Sequence, residues 1–196
     1  MSIRLADKKD AVQIANIHHQ EINQGFLRKL GKKFLRQLYE AMIILPNSFI
    51  VVAEENNQII GFISGCFNIS NFYREFLKKY LLKVFFISLL KIFNLSILKK
   101  SLEILKYPQK EKGNLPAAEL LTIVVLPDFR GQNIAQQIFE KFVAEMKKNG
   151  IKQFKVVVGE KLLLAISFYE KMGFKFYSSI SVHRNKKSLV YIYNLK

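Results

Sequence analysis

The sequence predicts a single mixed α/β (α+β) domain that spans residues 1–196 and carries a helical insertion at residues 70–113. Short apolar runs with the period of a strand alternate with helical patterns along the chain. Pairs of such runs flank tight turns, as they do in antiparallel hairpins. No repeat, linker or low-complexity stretch divides the sequence, and half of the residues are hydrophobic, which is enough for one substantial core.

Charge and cysteine content limit the classes of partner. The formal charge of +16 favours anionic ligands, polyanions or acidic membrane surfaces without choosing among them. The lone cysteine excludes an intrachain disulfide, and the N-terminal segment lacks the apolar core of a signal peptide, so a cytoplasmic location is expected. The histidines are scattered without metal-ligand spacing, and we expect no metal.

The first elements are a strand and two helical segments. Residues 2–6 alternate like a strand, and Asp7 is the expected N-cap of a helix that runs through His19. Helical spacing resumes over residues 32–44, and Pro46 ends it.

A hairpin follows. Residues 48–55 and 58–67 are predicted strands that meet at a turn formed by Asn56-Asn57. Gly61 and Gly65 interrupt the second strand, which predicts a bulge or a close neighbour.

The insertion at residues 70–113 differs in character, because it is strongly apolar, rich in lysine and poor in turn residues. We interpret it as two helices that part near residues 94–96. Its longest uncharged stretch, Val84–Leu90, is far shorter than the roughly 18 residues of a membrane-spanning helix. Such helices can contact an anionic membrane peripherally, cap a substrate pocket, or pack on the domain or on the second subunit of a homodimer. We favour the interpretation that the helices pack on the domain or on a second subunit.

The remainder of the chain is predicted to alternate strands and helices and to finish with a hairpin around Asn185-Lys186. The predicted elements are a buried strand, a helix, a strand, a short helix and the two hairpin strands, at residues 117–126, 133–150, 151–159, 163–173, 174–182 and 188–195.

The connection between the buried strand and the helix at 133–150 has the features of a phosphate site. A helix N-terminus offers unpaired N–H groups and a partial positive charge to an anion. Gly131 allows close approach of the backbone, Ala135 leaves the helix start open, and Arg130 adds charge. Alone, a short basic loop before a helix is more often a solvated connection.

Two stretches together resemble the GNAT superfamily of N-acetyltransferases. Its acetyl-CoA signature runs Arg or Gln, two residues, Gly, one residue, then Gly or Ala. The matching residues here are Arg130, Gly131, Gln132, Asn133, Ile134 and Ala135, with Asn133 at the place of the first signature glycine. The stretch AISFYEKMGF, Ala165 to Phe174, is similar to the late signature of the family.

The resemblance implies a GNAT-like central mixed, mostly antiparallel sheet of about seven strands flanked by helices, with the insertion between strands 3 and 4. It also implies an N-acetyltransferase that uses acetyl-CoA as co-substrate. The backbone of Ile123, Val124 and Val125 is expected to contact the pantetheine arm, with the Val125 N–H polarising the acetyl carbonyl.

The resemblance further implies two catalytic side chains. Tyr169 occupies the position that protonates the departing thiolate, and Glu119 the position of a general base. Alternation along the strand predicts that Glu119 faces the same side as Ile123 and Val125, about 20 Å along the strand from Val125. The alternatives are an aromatic packing residue for Tyr169 and a solvent-exposed carboxylate at a strand end for Glu119.

The acceptor site is predicted less directly. In the family, the connection after the first helix borders this site, so His18, Glu21 and Phe26 are the expected substrate-binding residues; the alternative for each polar one is a helix-surface side chain. Net charge and the insertion favour a small-molecule primary amine that carries negative charge, such as an amino sugar nucleotide.

Two other classes of function stay open. Asn133 in the loop and Leu162, at a place where the family often has asparagine, are compatible with a catalytically weak CoA-binding or regulatory module. The basic insertion is compatible with a protein that binds polyanions or a membrane surface. No nucleic-acid motif interleaved with aromatic residues is found, so nucleic acid is not an expected partner.

Overall fold

The computed structural model describes residues 1–22, 27–89, 115–183 and 186–195. Their seven strands form one mixed sheet in the order β1-β2-β3-β4-β5-β7-β6, in which only β4 and β5 are parallel neighbours. The strands are β1 (Ser2–Leu5), β2 (Ser48–Glu55), β3 (Gln58–Cys66), β4 (Glu119–Val125), β5 (Gln153–Gly159), β6 (Lys175–His183) and β7 (Lys186–Asn194).

Six α-helices flank the sheet within the described ranges. They are α1 (Ala11–Glu21), α2 (Leu27–Leu30), α3 (Lys32–Ile44), α4 (Ile69–Leu89), α5 (Ile134–Lys148) and α6 (Leu163–Lys171), with 3-10 turns at Lys8–Asp10 and Pro127–Phe129. The predicted fold class is therefore confirmed.

Local sequence signals set the first half. The Asp7 side chain accepts a hydrogen bond from the Lys9 N–H at the start of the 3-10 turn. The Asp7 N–H in turn donates to the Asp10 carboxylate at 2.8 Å, which completes a capping box. Helix α3 has the predicted bounds. Asn56 and Asn57 both take left-handed φ angles, 50° and 64°, as a two-residue hairpin turn requires.

The glycines of β3 mark the predicted irregularity. The pairing of β3 with β4 shifts register between Ser64 and Gly65, which leaves one extra residue, Leu121, in β4. A Cβ atom at Gly65 would lie 2.6 Å from the Phe142 ring and 2.8 Å from the Glu119 carbonyl oxygen. Only glycine fits this crossing of β3, β4 and α5.

Two hydrophobic cores lie on opposite faces of the sheet. The first core contains residues of α1, α3 and α4, together with Val124 of β4. The second core contains residues of α5 and α6, together with Leu120 and Val125 of β4. Strands β2, β3 and β4 place side chains in both cores, because successive side chains of a strand point to opposite faces of the sheet.

The C-terminal hairpin adds a feature that the sequence did not indicate. Strands β6 and β7 pair in antiparallel fashion as predicted, but β7 lies between β5 and β6 and pairs with β5 from Gln153 to Gly159. The last strand of the chain thus becomes internal, and β6 becomes an edge of the sheet.

The insertion begins as a helix, as predicted. Ile69, Phe72 and Phe76 of α4 are buried in the first core, which fixes the start of the insertion on that face of the sheet. The predicted break near 94–96 and the second helix fall outside the described residues. Within the described ranges, no helix combines the length and the apolar character needed to cross a membrane.

Candidate active site

The parallel strands β4 and β5 separate and open a wedge in the sheet. They pair only at Glu119 with Lys155 and at Leu120 with Val156. Beyond this point β4 continues beside β3, and β5 continues beside β7. The wedge therefore exposes one backbone edge of each strand to a ligand.

Backbone groups of β4 point into this wedge. The Leu126 N–H donates to the Ile60 carbonyl at 2.9 Å. Because hydrogen-bonded and non-bonded residue pairs alternate in an antiparallel ladder, Val125 and Ile123 direct their N–H and C=O groups away from β3. These are the groups expected to meet the pantetheine arm.

The connection after β4 turns sharply into α5. Gly131 has φ of 78°, and Asn133 takes the left-handed conformation with φ 59° and ψ 12°. Asparagine tolerates this conformation better than most residues, so the turn forms without the glycine of the family signature. No side chain caps α5. The N–H groups of Ile134, Ala135 and Gln136 are consequently those that a helix start leaves without backbone partners.

Arg130 is held at two points. Its Nε donates to the Val125 carbonyl at 2.9 Å, and its Nη2 lies 2.9 Å from Glu21 Oε2. The first bond occupies a carbonyl that β3 does not use. The second joins the loop to the last residue of α1, so Glu21 partly offsets the charge of Arg130.

A cleft runs along this loop and the start of α5. Its lining residues are Val125, Phe129, Arg130, Gly131, Asn133, Ile134, Ala135, Gln136, Phe168, Lys171 and Met172. Six of these belong to the predicted cofactor set, whereas Ile123, Val124 and Gln132 of that set do not line it.

Helix α6 supplies the far wall of the cleft, and its lining residues were not predicted from the sequence. Phe168, Lys171 and Met172 follow the i, i+3, i+4 spacing that puts side chains on one helix face. That spacing is the signal that could have identified them. Phe168 also packs edge to face against Phe139, so it combines a core contact with a cleft contact.

Tyr169 lies behind this wall. Its side chain is 5% exposed and packs against Phe168 and Phe174 in the second core. It does not line the cleft. Burial raises the pKa of the Tyr169 phenol well above its usual value, so the group stays protonated at neutral pH.

Glu119 does not share a face with Ile123 and Val125, and this part of the sequence prediction is wrong. The extra residue in β4 reverses the alternation, because one inserted residue turns the rest of a strand over. Ile123 and Val125 pack with the second core. Glu119 pairs with Cys66, a residue of the first core.

Glu119 is also not a solvent-exposed carboxylate. It is 5% exposed, and its Oε2 lies 3.5 Å from Nζ of Lys155, which is 1% exposed. The Lys155 ammonium also donates to the Pro116 carbonyl at 2.8 Å. The parallel start of β4 and β5 therefore encloses a buried ion pair directly below the wedge.

His18 is buried as well, which corrects its expected place on the surface of the acceptor site. It is 3% exposed, and its Nδ1 lies 2.5 Å from the hydroxyl of Tyr39. Burial, with a smaller effect from His19, lowers the pKa of His18 to about 4, so the imidazole is neutral at pH 7.

Of the other predicted acceptor residues, Glu21 forms the ion pair with Arg130, and Phe26 lies outside the described residues. Among the residues that the structure describes, no group of His, Cys, Asp and Glu side chains is arranged to hold a metal ion.

Comparison with known proteins agrees with this geometry. The sequence model of the Acetyltransferase (GNAT) family matches residues 15–174. No curated protein matches the sequence.

Several solved structures share the fold at low sequence identity. An N-acetyltransferase from Staphylococcus aureus is 18% identical, with a TM-score of 0.64 over 100% of this chain and 98% of that chain. An N-acetyltransferase from Thermoplasma acidophilum in complex with coenzyme A is 16% identical, with a TM-score of 0.61 over 99% of both chains. The ribosomal-protein-S18-alanine N-acetyltransferase from Escherichia coli is 13% identical, with a TM-score of 0.61 over 99% of this chain and 93% of that chain.

Proposed function

Because the chain belongs to the acetyltransferase (GNAT) family, we propose that it transfers an acetyl group from acetyl-CoA directly to the primary amine of a small anionic acceptor, such as an amino sugar nucleotide. The observation that carries the proposal is the uncapped start of α5 beside the wedge between β4 and β5. The start of α5 suits a phosphate group, and the wedge suits an extended chain that carries amides.

The residues present fit coenzyme A. The N–H groups of Ile134 and Ala135 would receive the pyrophosphate, and Gly131 keeps the approach open, since nothing lies within 4 Å of the place of a Cβ there. Ile123 would bind the pantetheine through its backbone N–H and C=O groups, in the manner of an added strand. Arg130 already holds the Val125 carbonyl, so Val125 would offer only its N–H to the co-substrate. The co-substrate supplies the acetyl group as a thioester.

Two groups of the chain would assist the transfer. The Val125 N–H points into the wedge and would polarise the acetyl carbonyl as negative charge develops on its oxygen. Tyr169 would donate its proton to the departing thiolate. Burial keeps the phenol protonated at neutral pH, which is the form that a proton donor must have before the transfer. Because Tyr169 lies behind Phe168, this role requires the phenol to reach the inner end of the wedge.

Glu119 is the proposed base, acting on the acceptor amine through water. Lys155 supports the ionised carboxylate that a base needs, because an adjacent ammonium favours the charged form. The competing role is a buried structural ion pair with no part in proton transfer. The pH profile of the Glu119→Gln variant separates the two roles.

Two features support the proposed class of acceptor, which are the net charge of the chain and the position of the insertion. A formal charge of +16 disfavours the approach of polycations such as polyamines and favours phosphorylated or carboxylated amines. Phe72 and Phe76 bury the first turns of the insertion in the first core, on the face of the sheet where Glu119 pairs with Cys66. An element over this face suits a compact acceptor better than an extended peptide. A cytoplasmic location and a homodimer stay part of the proposal and rest on sequence alone.

The test combines cofactor binding with an acceptor panel. Acetyl-CoA at millimolar concentration should raise the thermal midpoint, since a ligand of the folded state stabilises it by mass action. The panel then compares amino sugar nucleotides, amino acids, polyamines and basic peptides, with thiol release as the readout. Turnover only on polyamines or basic peptides would contradict the proposed acceptor class. Binding of acetyl-CoA with no turnover on any amine would favour a non-catalytic CoA-binding module.

A further inference from the structure

We propose that Lys171 binds the 3′-phosphate of coenzyme A, so that the protein distinguishes the complete cofactor from its dephosphorylated form; this inference rests on the proposed function. Coenzyme A carries two anionic groups, a pyrophosphate and a phosphate on the ribose of its adenosine. The cleft offers positive charge on two different walls.

The wall formed by the β4–α5 connection is already suited to one anionic group. The free N–H groups at the start of α5 converge there with Arg130. Arg130 is also committed to the Val125 carbonyl and to Glu21, both at 2.9 Å. We therefore expect this wall to bind the pyrophosphate and the opposite wall to bind the 3′-phosphate.

The other wall has its own cation on α6. Lys171 is exposed and lines the cleft. No ion pair joins Lys171 to another residue in the described part of the chain. The nearest carboxylate in sequence, Glu170, accepts a hydrogen bond from the Tyr191 hydroxyl at 2.9 Å and faces the sheet.

The neighbours of Lys171 explain why its ligand would be the ribose phosphate. Phe168 and Met172, which precede and follow it on the same helix face, give this wall an apolar surface. An adenine ring packs well on such a surface. A ribose attached to that adenine would present its 3′-phosphate to the ammonium, and a lysine serves as a point charge for phosphate.

The experiment measures the dissociation constants of CoA and dephospho-CoA by calorimetry, for wild type and for Lys171→Gln. The control is Lys148→Gln, which removes the same charge from an exposed last residue of a helix, at the end of α5 away from the cleft. We expect Lys171→Gln to weaken CoA binding about tenfold, the size of a charge-assisted contact. Dephospho-CoA binding should change less than about twofold, as for a distant surface charge.

The outcomes separate this inference from the proposed function. Equal weakening of both ligands would assign Lys171 to the pyrophosphate or to the shape of the cleft, and would overturn the proposal. Unchanged binding of both ligands, or an equal effect of Lys148→Gln, would also overturn it. If wild type bound neither ligand, the proposed function itself would fall. Thermal midpoints without ligand check that both variants fold.

Discussion

Nη2 of Arg130 lies 2.9 Å from Oε2 of Glu21, and this pair joins the cofactor loop to the end of the helix that precedes the predicted acceptor region. The negative charge of Glu21 therefore partly offsets the positive charge of Arg130 at the cofactor loop, independently of any contact between Glu21 and the acceptor. A second pair, Arg36 and Glu40, has the same separation of 2.9 Å and nearly the same exposure, and it lies within α3. The Arg36–Glu40 pair is therefore a matched control for substitutions in the Arg130–Glu21 pair.

Glu21→Gln should tighten acetyl-CoA binding, because the substitution removes a negative charge beside Arg130. The expected gain is roughly two- to fivefold at low salt, the range of an exposed ion pair, and it should shrink at high salt as the charges are screened. Calorimetry measures both, with Glu40→Gln expected to leave affinity unchanged. Weaker binding in Glu21→Gln would instead show that Glu21 orients Arg130.

Tyr169→Phe should lower turnover far more than cofactor affinity, since it removes a proton needed only as the thiolate departs. The expected loss in kcat is about 10²–10⁴-fold, with the CoA dissociation constant nearly unchanged. Tyr191→Phe is the control, because Tyr191 is similarly buried and its hydroxyl bonds Glu170. Normal kcat in Tyr169→Phe would assign proton donation to water or to another residue.

Glu119→Gln tests the base against a purely structural ion pair. Both roles predict lower stability, by roughly 3–5 kcal/mol, because Lys155 loses its buried partner. If Glu119 is the general base, kcat/KM of the variant should also fall at neutral pH and recover at higher pH, where the acceptor amine is already deprotonated. A purely structural role does not predict this pH dependence. A pH profile that keeps its wild-type shape, measured on protein confirmed to be folded, would leave Glu119 a structural role alone.

His18 should make stability depend on pH. Its pKa is lowered from 6.5 to about 4 in the folded protein, so the unfolded chain binds more protons between these values. The contribution of His18 to the free energy of unfolding is therefore fully present above about pH 6.5. It is lost as the pH falls toward 4, by on the order of 3 kcal/mol. Denaturant unfolding across this range measures the slope. His18→Gln should flatten it, and an unchanged slope would show that other groups cause it.

Gly65→Ala should destabilise the fold by roughly 1–3 kcal/mol, the usual cost of overpacking. Its new methyl group would meet the Phe142 ring and the Glu119 carbonyl oxygen at under 3 Å. Gly159→Ala is the matched control, since the nearest atom there, on Leu162, is 3.8 Å away. Thermal unfolding compares the two, and equal midpoints would contradict the close crossing at the β4 bulge.

Local chemistry determined much of this protein from sequence alone. The capping box at Asp7, the left-handed turn at Asn56-Asn57 and the full extent of α3 follow from residues close together in the chain. Asparagine is among the residues that tolerate the left-handed conformation, and Asn133, with φ of 59°, forms the sharp turn before α5. The candidate cofactor loop could be recognised because a loop, a helix start and a nearby charge are local features.

Only the tertiary structure decided what depends on distant residues. One extra residue in β4 moved Glu119 to the other face, because strand alternation has a period of two and any insertion reverses it. Lys155 became its partner through the parallel pairing of β4 and β5. Packing beside Tyr39 buried His18, and burial keeps its imidazole neutral at pH 7. Burial and partner choice are set where strands and helices meet, so the sequence by itself determined the elements and the cofactor loop, whereas packing decided which side chains can reach the chemistry.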